Sequence, residues 1–425
     1  MIKKVKKLTC ALKGNIEIPA DKSISHRAIM FSSIANGKST IKNFSNGADC
    51  LSTVNIFKQL GINIEFINKD TLTIEGGKIQ QACNDLNCGN SGTTMRLVSG
   101  ILAGQSFNSR LTGDASLSKR PMRRIIEPLS LMGAEIESEN GHAPLYIKGH
   151  KLVGINYNSK LSSAQVKSAI LLAGLNATGE TKYTEPYLSR NHSELMLKFL
   201  GANIECNNKS VIIKPSSLEA KNIEIVGDIS SAAFFIVAGL IVKDSNFVIK
   251  NVGINPTRIG ILDIVKRMNG NINILNKNTK SGEDVADIQV QYSNHLKGCE
   301  IFGQDIPKLI DELPIIAVLA SQAEGETIVK NAEDLRNKEA DRISCLVKEL
   351  KKIGVNIEET EDGFIIQGKT TLLGGSELET YHDHRLAMSF YIAGLICENE
   401  IAINGFEWTN ISFPNFEELI HQLQK

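Results

Sequence analysis

The sequence predicts an α/β protein of two similar domains. Each domain holds three repeated βαβαββ-type units, with the first helix of every unit buried in parallel inside and the sheets outside. Three observations carry that prediction. A chain of 425 residues with 42% hydrophobic side chains is too long for one ordinary core and rich enough for two. A small-polar cluster leading into an apolar run recurs six times. An amphipathic run followed by glycine and a short strand recurs in step with it.

The apolar runs are DKSISHRAIMFSSIANG, NSGTTMRLVSGILAG, SSAQVKSAILLAGL, DISSAAFFIVAGLIV, DELPIIAVLASQAEG and DHRLAMSFYIAGLICEN. Marked at Ser23, Ser91, Ser163, Ser230, Asp311 and Asp383, they are spaced by 68, 72, 67, 81 and 72 residues. Being apolar nearly all round, these helices are expected to be buried. The second helices, as in FKQLGINIEF, LSLMGAEIES, LKFLGANIEC, VKRMNGNINI and LKKIGVNIEE, carry Lys and Glu on one side and are expected to face solvent. The glycine near each C-terminus fits a left-handed cap. Short β-rich pieces such as TLTIEGG, PLYIKGH, SVIIKPS and GFIIQGK follow. The sixth unit lacks this piece, and the N-terminal segment LTCALKGNIEIP is expected to complete it. One domain then comprises residues 1–20 plus 226–425 and the other residues 21–225, joined by hinges near 18–21 and 221–227.

Lys+Arg and Asp+Glu each number 47, which argues against a nucleic-acid partner. No run has signal-peptide or membrane-spanning length, so the chain is expected to be cytoplasmic with no membrane partner. Eight cysteines form no CxxC pair and no histidine cluster accompanies them; buried reduced thiols are expected, with no metal. The phosphate-loop look-alike NGKST at 36–40 has Ser32 where glycine is needed and follows a helix, so a nucleotide-phosphate reading fails.

If the six buried helices pack side by side, their N-termini offer free N–H groups and partial positive charge on one surface. Capping explains Ser, Asp and Asn at these starts. It does not explain Lys22, Arg27, Arg96 and Arg385 beside them. A bound anion or structural ion pairs would both serve. Two loops add cations: SLSKRPMRR holds Lys119, Arg120, Arg123 and Arg124, and DLRNKEADR holds Arg336, Lys338 and Arg342 beside Glu339 and Asp341. For Asp311, spacing alone favours a helix cap with Pro314 just inside.

The set DKSISHR, NSGTTMR, GDASLSKRPM, SAQVKSA, DELP, NKEADR and DHRLAM resembles the 5-enolpyruvylshikimate-3-phosphate synthase family, in order and across all six units. The resemblance implies the inside-out α/β barrel of enolpyruvyl transferases and a monomer working without cofactor. It implies transfer of the enolpyruvyl group of phosphoenolpyruvate to the 5-hydroxyl of shikimate 3-phosphate, with release of phosphate. By the same resemblance Lys22, Ser23, Arg27, Ser163, Ala164, Gln165, Arg190, Asp311 and Lys338 meet shikimate 3-phosphate. Lys22, Gly92, Arg120, Arg342 and Arg385 meet phosphoenolpyruvate, and Asp311, Lys22 and Glu339 are the candidates for proton transfer. Departures from the family pattern are Leu97 for a frequent proline, Ile411 for a lysine, Asp334 for asparagine, Asn337 for valine and Thr184 for serine.

Three rivals are weaker. A UDP-N-acetylglucosamine enolpyruvyl transferase would carry a reactive cysteine in GDASLSKRPMRR, which has none. A non-catalytic phosphometabolite binder would not need Asp311, Lys22 and Glu339 together. An RNA-end enzyme is disfavoured by the zero net charge.

Overall fold

Six small sheets, one per repeat, are present in the computed structural model, which describes residues 1–425. The second repeat shows the plan. The core helix Gly92–Ala103 leads into the strand Ser109–Thr112, the surface helix Arg123–Leu131, and the antiparallel pair Glu135–Glu139 and His142–Lys148. The preceding strand Leu86–Asn87 adds in parallel, with Leu86 opposite Leu111. The third and fifth repeats use the same order, from Asn156–Asn158 and from Glu300–Ile301 respectively.

The other three sheets borrow their edges from far along the chain. Leu218–Glu219 and Ile223–Glu224, at the end of the third repeat, pair in parallel with Ala35–Lys42 of the first. Lys13–Glu17 pairs in parallel with Asn246–Gly253 of the fourth. Ile2–Val5 pairs antiparallel with Ile401–Asn404 of the sixth. The N-terminus therefore does complete the sixth sheet, but through residues 2–5; the LTCALKGNIEIP segment serves the fourth instead. IKKV buries only Val5, and a short, lysine-bearing edge strand gives almost no periodic signal.

The core helices are buried as their composition requires. All thirteen residues of Ile229–Ile241 are buried. Gly100 permits the close approach of Gly92–Ala103 to Ala164–Gly174, because a Cβ there would lie 2.1 Å from the Ala169 carbonyl oxygen. The surface helices end as predicted in the left-handed region at Gly61, Gly133, Gly201 and Gly354. In the fourth repeat Asn269, not Gly270, takes that conformation, with φ of 62°.

By its internal contacts the chain divides into two compact units. The first comprises 1–19, 226–278 and 284–425; the second comprises 20–225 and 279–283. Thr279–Glu283, the turn of the long hairpin Asn271–Lys280/Glu283–Gln291, thus counts with the second unit. There Glu283 Oε1 lies 2.7 Å from His192 Nδ1, both side chains buried. All eight thiols are free. Cys50, Cys88 and Cys397 are buried, but Cys10, Cys83 and Cys206 are exposed on loops and a solvent-facing strand, which corrects the uniform burial expected. No helix is long and apolar enough to cross a membrane.

Candidate active site

In the second unit the candidate residues cluster at the starts of three core helices. Asp21 caps Lys22–Ile34 by accepting from Ile24 N at 2.8 Å, which sets Lys22 and Ser23 half-buried in the first turn. Lys22 Nζ pairs with Asp49 Oδ2 at 3.0 Å. Arg27, one turn on and 3% exposed, donates from Nε to Ser193 Oγ, from Nη1 to the Ser23 carbonyl and from Nη2 to Ser168 Oγ, at 2.8 to 3.0 Å. These acceptors are all neutral. Burial accordingly pulls the Arg27 guanidinium down to about 10, against the raising influence of Glu194 and Asp21. Arg190, which lowers it further, stands half-buried close by.

Ser91 caps the next core helix by accepting from Thr94 N at 3.1 Å, and Gly92 is its first residue. A Cβ on Gly92 would stand 3.2 Å from Arg96 Nη1 and 3.5 Å from Arg120 Nη1, so the glycine keeps open a space bordered by two guanidinium groups. Arg96 donates to Gln165 Oε1, whose amide nitrogen donates to Thr93 Oγ1 at 2.9 Å. Arg120 donates to Asn90 Oδ1 at 2.7 Å. Ser163 caps the third helix, leaving Ala164 and Gln165 half-buried in its first turn. Beneath these starts His26 Nδ1, Thr53 Oγ1, Thr94 Oγ1 and Ser91 Oγ form a continuous hydrogen-bonded chain of 2.7, 2.8 and 2.6 Å steps. Burial drives the His26 ring down to about 3, so it is neutral.

Not every buried cation here faces a space. Lys167 Nζ lies 2.9 Å from Glu185 and 2.8 Å from Glu194, all three buried. Burial opposes its charge, but the two carboxylates prevail and raise the ammonium. Lys167 is a structural ion triad.

In the first unit the candidates gather around Arg342, 1% exposed. Its Nε donates to Asp383 Oδ2 at 2.7 Å, its Nη2 to Glu339 Oε2 at 2.6 Å and its Nη1 to Asp311 Oδ1 at 3.4 Å. Burial opposes this charge too, yet Asp383, Glu339 and Asp311 raise the guanidinium above its ordinary value. Lys338 Nζ stands 3.7 Å from the same Asp311 oxygen. Arg385 Nη1 donates to the Asp311 carbonyl at 3.3 Å, and Asp383 caps its helix by accepting from Arg385 N at 2.8 Å. The helix Leu313–Ser321 has no side-chain cap, so Asp311 is not the cap that spacing suggested; its carboxylate faces cations instead. Asp334, one of the departures, lies 3.9 Å from Lys338, and Leu97 is fully buried.

Sequence reasoning missed Asp49 and the buried Arg258, which joins Asp228 and Ser230, and read Asp383 as the cap it is without its bond to Arg342. The charged motif NPTRIG on a segment following an apolar strand was the available signal for Arg258.

The profile of EPSP synthase (3-phosphoshikimate 1-carboxyvinyltransferase) matches residues 7–420. Proteins named 3-phosphoshikimate 1-carboxyvinyltransferase are similar throughout. That of Thermoanaerobacter sp. (strain X514) is 51% identical over 417 residues, 97% of this chain and 98% of its own. That of Thermodesulfovibrio yellowstonii is 50% identical over 432 residues, 100% of this chain and 99% of its own. The EPSP synthase structure from Acinetobacter baumannii aligns with a TM-score of 0.89 at 43% identity, covering 99% of this chain and 98% of that one. The enolpyruvyl transferase NikO from Streptomyces tendae, 16% identical with a TM-score of 0.81 over 99% and 97% of the two chains, shares the two-domain inside-out α/β fold.

Proposed function

We propose residue roles from one premise: the chain belongs to the EPSP synthase (3-phosphoshikimate 1-carboxyvinyltransferase) family, and is a transferase that moves the enolpyruvyl group of phosphoenolpyruvate to shikimate 3-phosphate in aromatic amino acid biosynthesis. In our reading Ser23, Arg27, Ser163, Ala164, Gln165 and Arg190 hold shikimate 3-phosphate, with Asp311 and Lys338 acting on the same substrate. Gly92, Arg120, Arg342 and Arg385 hold phosphoenolpyruvate, and Lys22 serves both. Planar guanidinium forks suit a carboxylate and a phosphate alike. Arg342 spends three of its five N–H groups on Asp383, Glu339 and Asp311, which leaves one on each Nη for a substrate carboxylate.

The reaction we assign is addition followed by elimination. The 5-hydroxyl oxygen bonds to the central carbon of phosphoenolpyruvate as Asp311 takes the hydroxyl proton and the methylene carbon gains one, giving a tetrahedral ketal. The bond from that carbon to the phosphate oxygen then breaks, and a methyl proton leaves to restore the enol ether. Lys22 and Glu339 are the two candidates for the proton at the methylene carbon. Our reading also takes the enzyme as a cytoplasmic monomer.

One observation carries the assignment of Asp311: its carboxylate lies against Arg342 and Lys338 while the helix it precedes goes without a side-chain cap. The test is phosphate release from the two substrates by the parent and by Asp311→Asn. A general base contributes roughly 100- to 10,000-fold, so kcat should fall by that factor while shikimate 3-phosphate still binds. A variant with the parent's kcat would remove Asp311 from the chemistry.

A further inference from the structure

Asp311 is followed by Glu312, which is 1% exposed. The Glu312 carboxylate accepts the Ser230 hydroxyl and lies 4.0 Å from Arg258 Nη1. Arg258, itself 2% exposed, donates from Nη2 to Asp228 Oδ1 and to Ser230 Oγ, each at 2.9 Å. Asp228 caps the core helix Ile229–Ile241 by accepting from Ser230 N at 2.9 Å. Arg258 is presented by a turn in which Asn255 Oδ1 accepts from Thr257 N at 2.9 Å and Thr257 Oγ1 at 2.8 Å. One buried guanidinium therefore spans the starts of two core helices, and one of those starts carries Asp311.

We infer that Arg258 is a positioning residue for the transfer reaction: through Glu312 it fixes where the Asp311 carboxylate stands. Asp311 and Glu312 lie in the single turn Ile310–Glu312 that leads into the helix Leu313–Ser321, which has no side-chain cap. Side chains from elsewhere hold the two carboxylates of this turn. On the Asp311 side these include Arg342, Lys338 and Arg385, all of them assigned to substrate and so with a second partner to serve. On the Glu312 side it is Arg258 with Ser230, which our reading does not assign to substrate. An ångström of misplacement at a reacting group costs on the order of 100-fold in rate, so the fixed side matters more than its distance from the chemistry suggests. Buried, with Ser230 bonded to both Glu312 and Arg258 and Arg258 bonded also to Asp228, this cluster is a connected network, which is what such a task needs.

The inference rests on the reading of Asp311 as the base. Its test measures kcat and both KM values for Arg258→Gln, Arg258→Lys, Glu312→Gln and the double variant R258Q/E312Q, with Asp311→Asn as control. Arg258→Gln should lose roughly 10- to 100-fold in kcat with KM for both substrates within about threefold of the parent. Arg258→Lys should recover part of that loss, and the double variant should be no slower than the worse single one, as expected when one residue acts through the other. If Arg258→Gln does not fold, Arg258→Lys and Ser230→Ala carry the same prediction. Parent-like kcat in the folded variants, KM rising in step with kcat loss, or losses that multiply in the double variant would each overturn the inference. Full activity in Asp311→Asn would instead overturn the reading it rests on.

Discussion

Two buried arginines, one in each unit, have opposite surroundings. Arg27 is held by two serine hydroxyls and a carbonyl, and burial pulls its guanidinium down to about 10. Arg342 is held by three carboxylates, which raise its guanidinium despite complete burial. A buried cation bonded only to neutral oxygens is costly until an anion joins it; one already ringed by carboxylates is balanced before substrate arrives. The comparison teaches that Arg27 needs an incoming anion for balance, whereas Arg342 is balanced before it offers its remaining N–H groups to substrate. Lys167, with Glu185 and Glu194, shows that the second unit also neutralises a buried cation where the role is structural.

The largest expected effect breaks the comparison if it fails. Removing one member of a buried ion cluster leaves uncompensated charge worth about 3–5 kcal/mol. Arg342→Met and Lys167→Met should each therefore lower unfolding stability by an amount of that order, read from denaturant midpoints. A loss below about 1 kcal/mol in either would mean that its carboxylates are not held by it.

A second prediction sharpens the environment of Arg27 through its neighbour. His26 is neutral because burial lowers its ring to about 3 from 6.5, with Asp49 and Asp21 opposing and Lys22 and Arg27 assisting. The unfolded chain binds that proton below about 6.5 and the folded chain does not until about 3. Stability from this residue is thus complete above 6.5 and is lost as pH falls toward 3. The slope should be on the order of 1 kcal/mol per pH unit, and His26→Gln should flatten it. An unchanged slope would place the titrating groups elsewhere.

Gly92→Ala gives a smaller effect. Its methyl would stand 3.2 Å from Arg96 Nη1 and 3.5 Å from Arg120 Nη1, in the space assigned to phosphoenolpyruvate. We expect KM for phosphoenolpyruvate to rise about tenfold, or ~1.4 kcal/mol, with KM for shikimate 3-phosphate nearly unchanged. Equal shifts in both would mean a general distortion of the helix start.

Much of this frame was legible in the residues. The six core helices announced themselves because an all-apolar run has one physical destination, and the left-handed caps at Gly61, Gly133, Gly201 and Gly354 follow from glycine's freedom at positive φ. Ile2–Val5 was not legible as the closing strand, since an edge strand with one buried side chain carries no alternation. Nor was the return of Thr279–Glu283 to the second unit, which depends on a hairpin's length and not on its pattern. At the site, the charged positions could be picked out, but sequence assigns no partners. It could not tell Lys167 in its triad from Arg27 among hydroxyls, and it favoured a cap for Asp311 because spacing shows a helix start and not where a carboxylate points.

The central claim is that Arg27 depends on an incoming anion to balance its charge, while Arg342 is balanced by its carboxylates before substrate arrives. The most direct test is Arg27→Met, measured for ligand-free stability by denaturant unfolding and for shikimate 3-phosphate affinity by calorimetry. Ser168 Oγ and Ser193 Oγ, which Arg27 bonds, also bond each other at 2.6 Å and so keep a partner if it is removed. Stability should therefore stay within about 1 kcal/mol of the parent. Affinity should weaken by roughly 10- to 100-fold, the loss of one or two charge-assisted hydrogen bonds to phosphate. A variant that loses several kcal/mol of stability yet binds shikimate 3-phosphate as tightly as the parent would contradict the account, making Arg27 a structural cation like Lys167.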